Sequence, residues 1–121
     1  MIKVRTDRPV TDKRIYGFIG IAKKAGVVTS GGAACEDSIA IGKAKLVIIA
    51  EDSADSTKKR IQRLATSRGF EVRIFGTCGE LGKYCGKNGR SVLTINNDSF
   101  AGRLKLMIDV SFRINGGGSI G

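Results

Sequence analysis

The densest cluster of ligand-holding groups in the sequence is the run Gly86-Lys87-Asn88-Gly89-Arg90-Ser91. Two positive charges, an amide and a hydroxyl set among two glycines suit contact with phosphate oxygens. Arg and Lys supply charge-assisted donors, and glycine lets the backbone come close. Lys83 stands just ahead of this run. This is the second of two such runs in chain order; the first turn, Gly31-Gly32, precedes a segment that reads as a helix. Helix starts expose amide N–H groups, and paired glycines let an anion approach them. Gly31, Gly32, Lys83, Lys87, Asn88, Arg90 and Ser91 are therefore the candidate nucleic-acid contacts. For the second run, a solvated turn without a ligand is the alternative reading. The row Lys58, Lys59, Arg60 and Arg63 reads first as a solvated helix face, with Lys58, Lys59 and Arg63 kept as a secondary basic surface for RNA or protein.

The rest of the composition narrows the chemistry. There is no His and no Trp, so the usual proton shuttle near neutral pH and the commonest metal ligand are both missing. Cys35, Cys78 and Cys85 are odd in number and include no Cys-x-x-Cys pair, which argues against a disulfide framework or a zinc site and for three reduced, small, buried side chains. Neither Gly-x-x-x-x-Gly-Lys-Ser/Thr nor Gly-x-Gly-x-x-Gly occurs, removing the common nucleotide-binding loops. Gly86-Lys-Asn-Gly89 has the Gly-x-x-Gly form of KH domains, but there it joins two helices and here a strand follows. Gly17-Phe-Ile-Gly20 has the same form with apolar centres and reads as close helix packing. No catalytic residue, metal, cofactor or small-molecule substrate is assigned. With 21 Lys and Arg against 11 Asp and Glu, a net charge of +10 and a pI near 10.0, the chain favours an anionic partner, nucleic acid or a membrane surface, over the alternative of a basic but inert surface. Charges at Arg5, Asp7, Arg8, Asp12, Lys13 and Arg14 interrupt the first 25 residues, so no membrane span or signal peptide is expected and a soluble, cytoplasmic protein is.

The elements that must position these turns follow from apolar spacing. Residues 1–12, with the sole proline, Pro9, read as a basic extended arm; 13–113 as one domain; 114–121 as a flexible glycine-rich tail. Ile15, Phe18, Ile19, Ala22 and Ala25 recur at three and four, one face of a helix over 14–25. A short strand over 27–29 leads to Gly31-Gly32 and a helix over 33–41 stopped by Gly42. Leu46 to Ala50 is continuously apolar, the mark of a central strand buried on both faces. Ser53 or Asp55 is expected to cap a helix to about Arg68, with Thr57, Ile61, Leu64 and Ala65 inward. Strand 71–75, helix 78–85, strand 91–95 and helix 100–112 complete the chain. The alternation predicts an α/β fold, a three-layer α-β-α sandwich on a small mixed sheet of about four strands.

Four pieces in this order resemble the kink-turn-binding ribosomal protein family L7Ae/L30e, and most its small bacterial members. They are Gly20-Ile-Ala-Lys-Lys-Ala-Gly26, Ser30-Gly31, Gly42-Lys-Ala-Lys-Leu-Val-Ile-Ile-Ala-Glu-Asp52 and Leu81-Gly-Lys-Tyr-Cys-Gly86. The match covers about residues 14–110. It implies an α-β-α sandwich that binds a sharply bent RNA without catalysis, as part of a ribonucleoprotein or of translation, with the second turn lying beside the first and touching RNA. In the family pattern Gly-x-Asn-Glu-x-x-Lys, the Asn, Glu and Lys read sheared G·A pairs. Here Ala33, Ala34 and Asp37 stand at those positions, and alanine carries no donor or acceptor for a base edge. Glu36 and Asp37 add negative charge near the helix start, which favours the helix dipole but repels RNA. The reading is therefore a non-catalytic protein that holds structured RNA, ribosomal or other, mainly through backbone phosphates. The alternative is a protein-interaction module that kept the fold and lost kink-turn recognition.

Overall fold

The computed structural model describes residues 11–112. The tail expected over 114–121 and all but the last two residues of the arm expected over 1–12 therefore lie outside the described residues. Those two, Thr11 and Asp12, are the cap and first residue of the first helix. Nine elements follow in order: α1 (Asp12–Lys24), β1 (Val28–Ser30), α2 (Gly32–Ala40), β2 (Leu46–Ile49), α3 (Asp55–Ser67), β3 (Glu71–Ile74), α4 (Cys78–Tyr84), β4 (Val92–Ile95) and α5 (Asp98–Ser111). The strands form one mixed sheet in the order β1-β4-β2-β3. β2 and β3 run parallel, and β4 runs antiparallel to both of its neighbours, β1 and β2.

The apolar run in β2 is continuous because helices cover both faces of the sheet. Successive side chains of a strand point to opposite sides, so Leu46 and Ile48 join Ile15, Ile19, Leu81, Leu104 and Ile108 under α1, α4 and α5. Val47 and Ile49 join Cys35, Ile39, Ile61 and Ala65 under α2 and α3. The expected three-layer sandwich is the observed one. β4 shares the centre of the sheet with β2 and is equally buried, although Thr94 breaks its apolar pattern. Thr94 is tolerated there because Thr94 Oγ1 reaches Asn96 Oδ1 at 3.1 Å. Ser38 Oγ donates to the same oxygen at 2.9 Å, and Asn96 Nδ2 donates to Thr29 Oγ1 at 2.9 Å.

Several boundaries shift for identifiable reasons. α1 begins at Asp12 rather than Arg14, because Thr11 caps it and accepts from the Arg14 amide at 3.3 Å. α5 begins at Asp98 rather than Phe100, capped by the Asn97 side chain. α3 is capped by neither Ser53 nor Asp55: Ala54 holds the cap position without a side-chain bond. Ser53 is buried and donates to the Ser91 carbonyl at 3.2 Å, so it ties the start of β4 to the end of β2. Of the expected inward face of α3, Ile61 and Ala65 are buried while Thr57 and Leu64 are half-buried. Close packing holds for neither glycine of Gly17-Phe-Ile-Gly20: a β-carbon at Gly17 would meet nothing within 4 Å, and one at Gly20 would reach Tyr84 at an ordinary 3.8 Å.

Candidate nucleic-acid interface

Strand direction brings the two glycine turns together although some sixty residues separate them. β1 and β4 are antiparallel with Ser30 opposite Leu93, so the C-terminal end of β1 lies beside the N-terminal end of β4. The Gly31 amide donates to the Val92 carbonyl at 3.1 Å and closes the junction. Because β4 also runs antiparallel to β2, the end of β2 arrives at the same place, where the Ala50 amide donates to Ser91 O at 2.8 Å. One end of the sheet thus collects Gly31-Gly32, residues 50–53 and the run from Gly86 to Ser91.

At the first turn Gly31 adopts φ +96°, a conformation that favours glycine, and stands at the N-cap of α2 without a side-chain cap. The first amides of a helix have no intrahelical acceptors. Two guanidinium groups flank this turn. A β-carbon at Gly31 would lie 3.9 Å from Arg90 Nε, and one at Gly32 would lie 4.0 Å from a terminal nitrogen of Arg60. Arg90 is fixed by its Nε bond to Ser30 Oγ at 3.3 Å and by a terminal nitrogen donating to Gly89 O at 2.9 Å. Arg60 is held by Glu36, Nε to Oε2 at 2.8 Å. An exposed pair of this kind contributes little to stability, on the order of 0–1 kcal/mol. Its effect is positional: it offsets the Glu36 charge and brings a cation from α3 to the start of α2, which leaves Asp37 as the exposed anion there.

The second turn is fixed by backbone packing. Gly86 and Gly89 have φ of +71° and +79°. Gly82 in α4 faces Gly89 so closely that a β-carbon there would fall 2.6 Å from Gly89 Cα. The Lys87 amide donates to Gly82 O at 2.8 Å, and the Arg90 amide to Cys78 O at 3.0 Å. Thr77 caps the same helix, accepting from the Glu80 amide at 3.2 Å, and Asp52, just past the end of β2, adds a second cap by accepting from the Cys78 amide at 2.8 Å. That hydrogen bond holds the Asp52 carboxyl below its ordinary pKa.

The seven candidate contacts from the sequence do not form one patch. Gly31, Gly32 and Arg90 converge at the α2 start, and Lys87 and Asn88 sit exposed at the tip of the second turn. Ser91 is turned inward: its carbonyl takes the Ala50 and Ser53 bonds, and its hydroxyl lies 3.7 Å from Cys78 Sγ. Lys83 lines a groove with Lys23, Lys24 and Gly86, its ammonium 5.7 Å from the Tyr84 ring. On α3, Lys59 and Arg63 are exposed and Lys58 is half-buried. Arg60, read from sequence as one more member of that solvated row, is the cation the sequence reading missed. Glu36 was its signal, since a carboxylate on α2 invites a partner from the helix beside it.

The cysteines are reduced, as expected, but not all are buried. Burial and its cost to the thiolate push Cys35 up to about 12. Cys85 is raised by burial too, against the opposing charges of Lys23, Arg90 and Lys87. Cys78 is half-buried: it opens α4 and packs against the edge of the core under α1, α4 and α5. Among the described residues no cluster of His, Cys, Asp or Glu is suited to a metal ion, and no helix is long and apolar enough to cross a membrane.

Comparisons with known proteins agree with this architecture. A sequence model described as the ribosomal protein L7Ae/L30e/S12e/Gadd45 family matches residues 13–104. The RNA-binding protein YlxQ of Bacillus subtilis (strain 168) is 27% identical over 94 residues, 78% of this chain and 94% of that protein. A solved structure of a protein of unknown function from Bacillus halodurans superposes with a TM-score of 0.77 at 26% identity, covering 79% of this chain and 97% of that one. The Giardia lamblia 15.5kD RNA binding protein shares the fold, with a TM-score of 0.65 at 20% identity over 78% of this chain and 81% of that one.

Proposed function

The chain belongs to the ribosomal protein L7Ae/L30e/S12e/Gadd45 family, and from that premise we propose that it is a non-catalytic, cytoplasmic RNA-binding protein that grips structured RNA of the kink-turn or ribosomal kind by its phosphates. One observation carries the reading: Gly31 and Gly32 stand at an α2 start without a side-chain cap, where a β-carbon on either would lie about 4 Å from the Arg90 or the Arg60 guanidinium. Amides and guanidinium groups aimed at one point are what a phosphate needs. Lys87 and Asn88 extend the grip along the backbone. Ala33 and Ala34 are exposed at the first turn of α2 and add no base-edge contact.

Binding isotherms with a kink-turn RNA and a plain hairpin, taken at roughly 50 and 200 mM salt, test this reading. With about five phosphates neutralised, log affinity falls against log salt with a slope of roughly −3.5 to −4.5. The kink-turn is preferred only weakly, by well under 100-fold, or about 2.7 kcal/mol. Affinity that ignores salt removes the phosphate grip. Strong discrimination by the wild type means that base recognition uses other groups. If no RNA binds at all, the exposed Ala33, Ala34 and Asp37 favour the second reading, a protein-interaction module on the same fold.

A further inference from the structure

The open space over Gly17 belongs to a groove whose lining includes none of the seven candidate nucleic-acid contacts, although Gly17 and Ile21 also border the neighbouring groove of Lys83. The groove over Gly17 runs between α1 and α5 with a volume of about 760 Å³. Its walls include Phe18 and Ile21 on one side and Leu106 on the other, and Arg14 and Arg103 are the charged residues of its lining. Ile21 and Leu106 are 56% and 57% exposed, unusual for large apolar side chains. The Arg103 guanidinium lies over the Phe18 ring at 6.0 Å, so a positive charge is held along the apolar wall. This lining shares no residue with Gly31-Gly32 or with the second turn.

We propose that this groove docks an acidic amphipathic helix of a partner protein, its apolar face against Gly17, Ile21 and Leu106 and its carboxylates against Arg14 and Arg103. Charge complementarity selects this occupant. The chain's own ends do not supply it: residues 1–10 hold Lys3, Arg5 and Arg8 against Asp7, and residues 113–121 hold Arg113 and no acidic residue. A second copy presenting the same face would set arginine against arginine. Helix-in-groove binding uses apolar anchors at helical spacing, and the floor that Gly17 leaves without a side chain gives such an anchor room. Partner and RNA would then be held on separate surfaces.

The test uses the full chain, isotope-labelled for NMR, and two designed helical peptides with the same leucine face, one edged with glutamates and one with lysines. The glutamate peptide is expected to shift the amide resonances of Gly17, Ile21, Arg103 and Leu106 and to bind at least tenfold tighter than the lysine peptide. Leu106→Asp should weaken it at least tenfold, and Arg103→Glu should transfer the preference to the lysine peptide. Both positions are exposed, and unchanged thermal unfolding confirms that each variant folds. Equal binding of the two peptides, shifts confined to other surfaces, or affinity indifferent to both variants overturns the proposal. So does binding of phosphatidylglycerol vesicles through these residues when the peptide does not bind, which assigns the face to a membrane surface.

Discussion

The two glycine turns reach the same end of the sheet by different means. At Gly31-Gly32 the backbone is held by strand register and a helix start, with the Gly31 amide donating to Val92 O, and the nearby charges come from elsewhere in the chain, Arg60 and Arg90. From Gly86 to Ser91 the charges are local, and the backbone serves to press the turn onto α4 through the Gly82–Gly89 contact. Glycine therefore means two things in one molecule: at Gly31 it permits a positive φ at a helix start, and at Gly82 it removes an atom so that the chain can pack on itself. Substitution separates the two roles.

The largest expected effect is at Gly82. Alanine there forces the second turn away from α4, and overpacking of this kind costs roughly 1–3 kcal/mol, a fall in Tm of about 4–20 °C for a domain near this size. Thermal unfolding measures it, and RNA affinity should fall with it because Arg90 moves. Gly31→Ala is expected to lower stability less, since its β-carbon meets the Arg90 side chain only at an ordinary 3.9 Å and the main cost is the positive φ. If Gly31→Ala proves the more destabilising, the division of roles is reversed.

Next comes charge. Replacing Lys87 and Arg90 together by Ala should weaken RNA binding by about 2 kcal/mol, some 30-fold, and replacing Lys58 and Lys59 together should cost much less. Equal losses in competition assays would mean that net charge alone governs binding. Ala33→Asn, Ala34→Glu and Asp37→Lys combined should raise the preference for a kink-turn over a duplex by at least about 1 kcal/mol, read from the ratio of the two dissociation constants. A folded triple variant without that gain breaks the correspondence at the first turn. Arg60→Ala is smaller still, about 0.5 kcal/mol in stability, and its loss of RNA affinity should be largely restored by adding Glu36→Ala, because the unpaired carboxylate is then gone.

The smallest effect is a titration. Asp52 is held below the ordinary value of 3.8 by the Cys78 amide, so its contribution to anchoring α4 is present above that pH and is lost as pH falls through the lowered value. The Asp52 carboxyl and the Cys78 amide resonances should move with one shared midpoint below 3.8. Separate midpoints would mean that the cap is not formed in solution.

Much of the fold was legible because burial writes itself into periodicity. The run from Leu46 to Ile49 could only be a strand covered on both sides, and the stripe of α1 could only be a helix with one face inward. Helix starts were less legible, since Thr11, Ala54 and Asn97 act at caps where several polar residues were available. Ser53 was misplaced because a serine near a helix start suits a cap, and nothing local tells that its hydroxyl turns to Ser91 instead. At the candidate site, Gly31 and Arg90 were visible as residue types, but their proximity follows from the β1–β4 pairing, and Arg60 was hidden within a row of like charges.

The strand order carries a consequence for how the molecule is made. Among the described residues β1 borders only β4, and β4 inserts between β1 and β2 although it is the last of the four strands. A nascent chain that has emerged only as far as β3 can join β2 to β3, but it leaves Gly31-Gly32 on a strand with no neighbour. Pairings of such long sequence separation form late, because the entropy of closing the loop must be overcome first. The end of the sheet that holds Gly31 and Arg90 is thus completed last, and a chain cut short before β4 would lack the junction on which the proposed RNA grip depends.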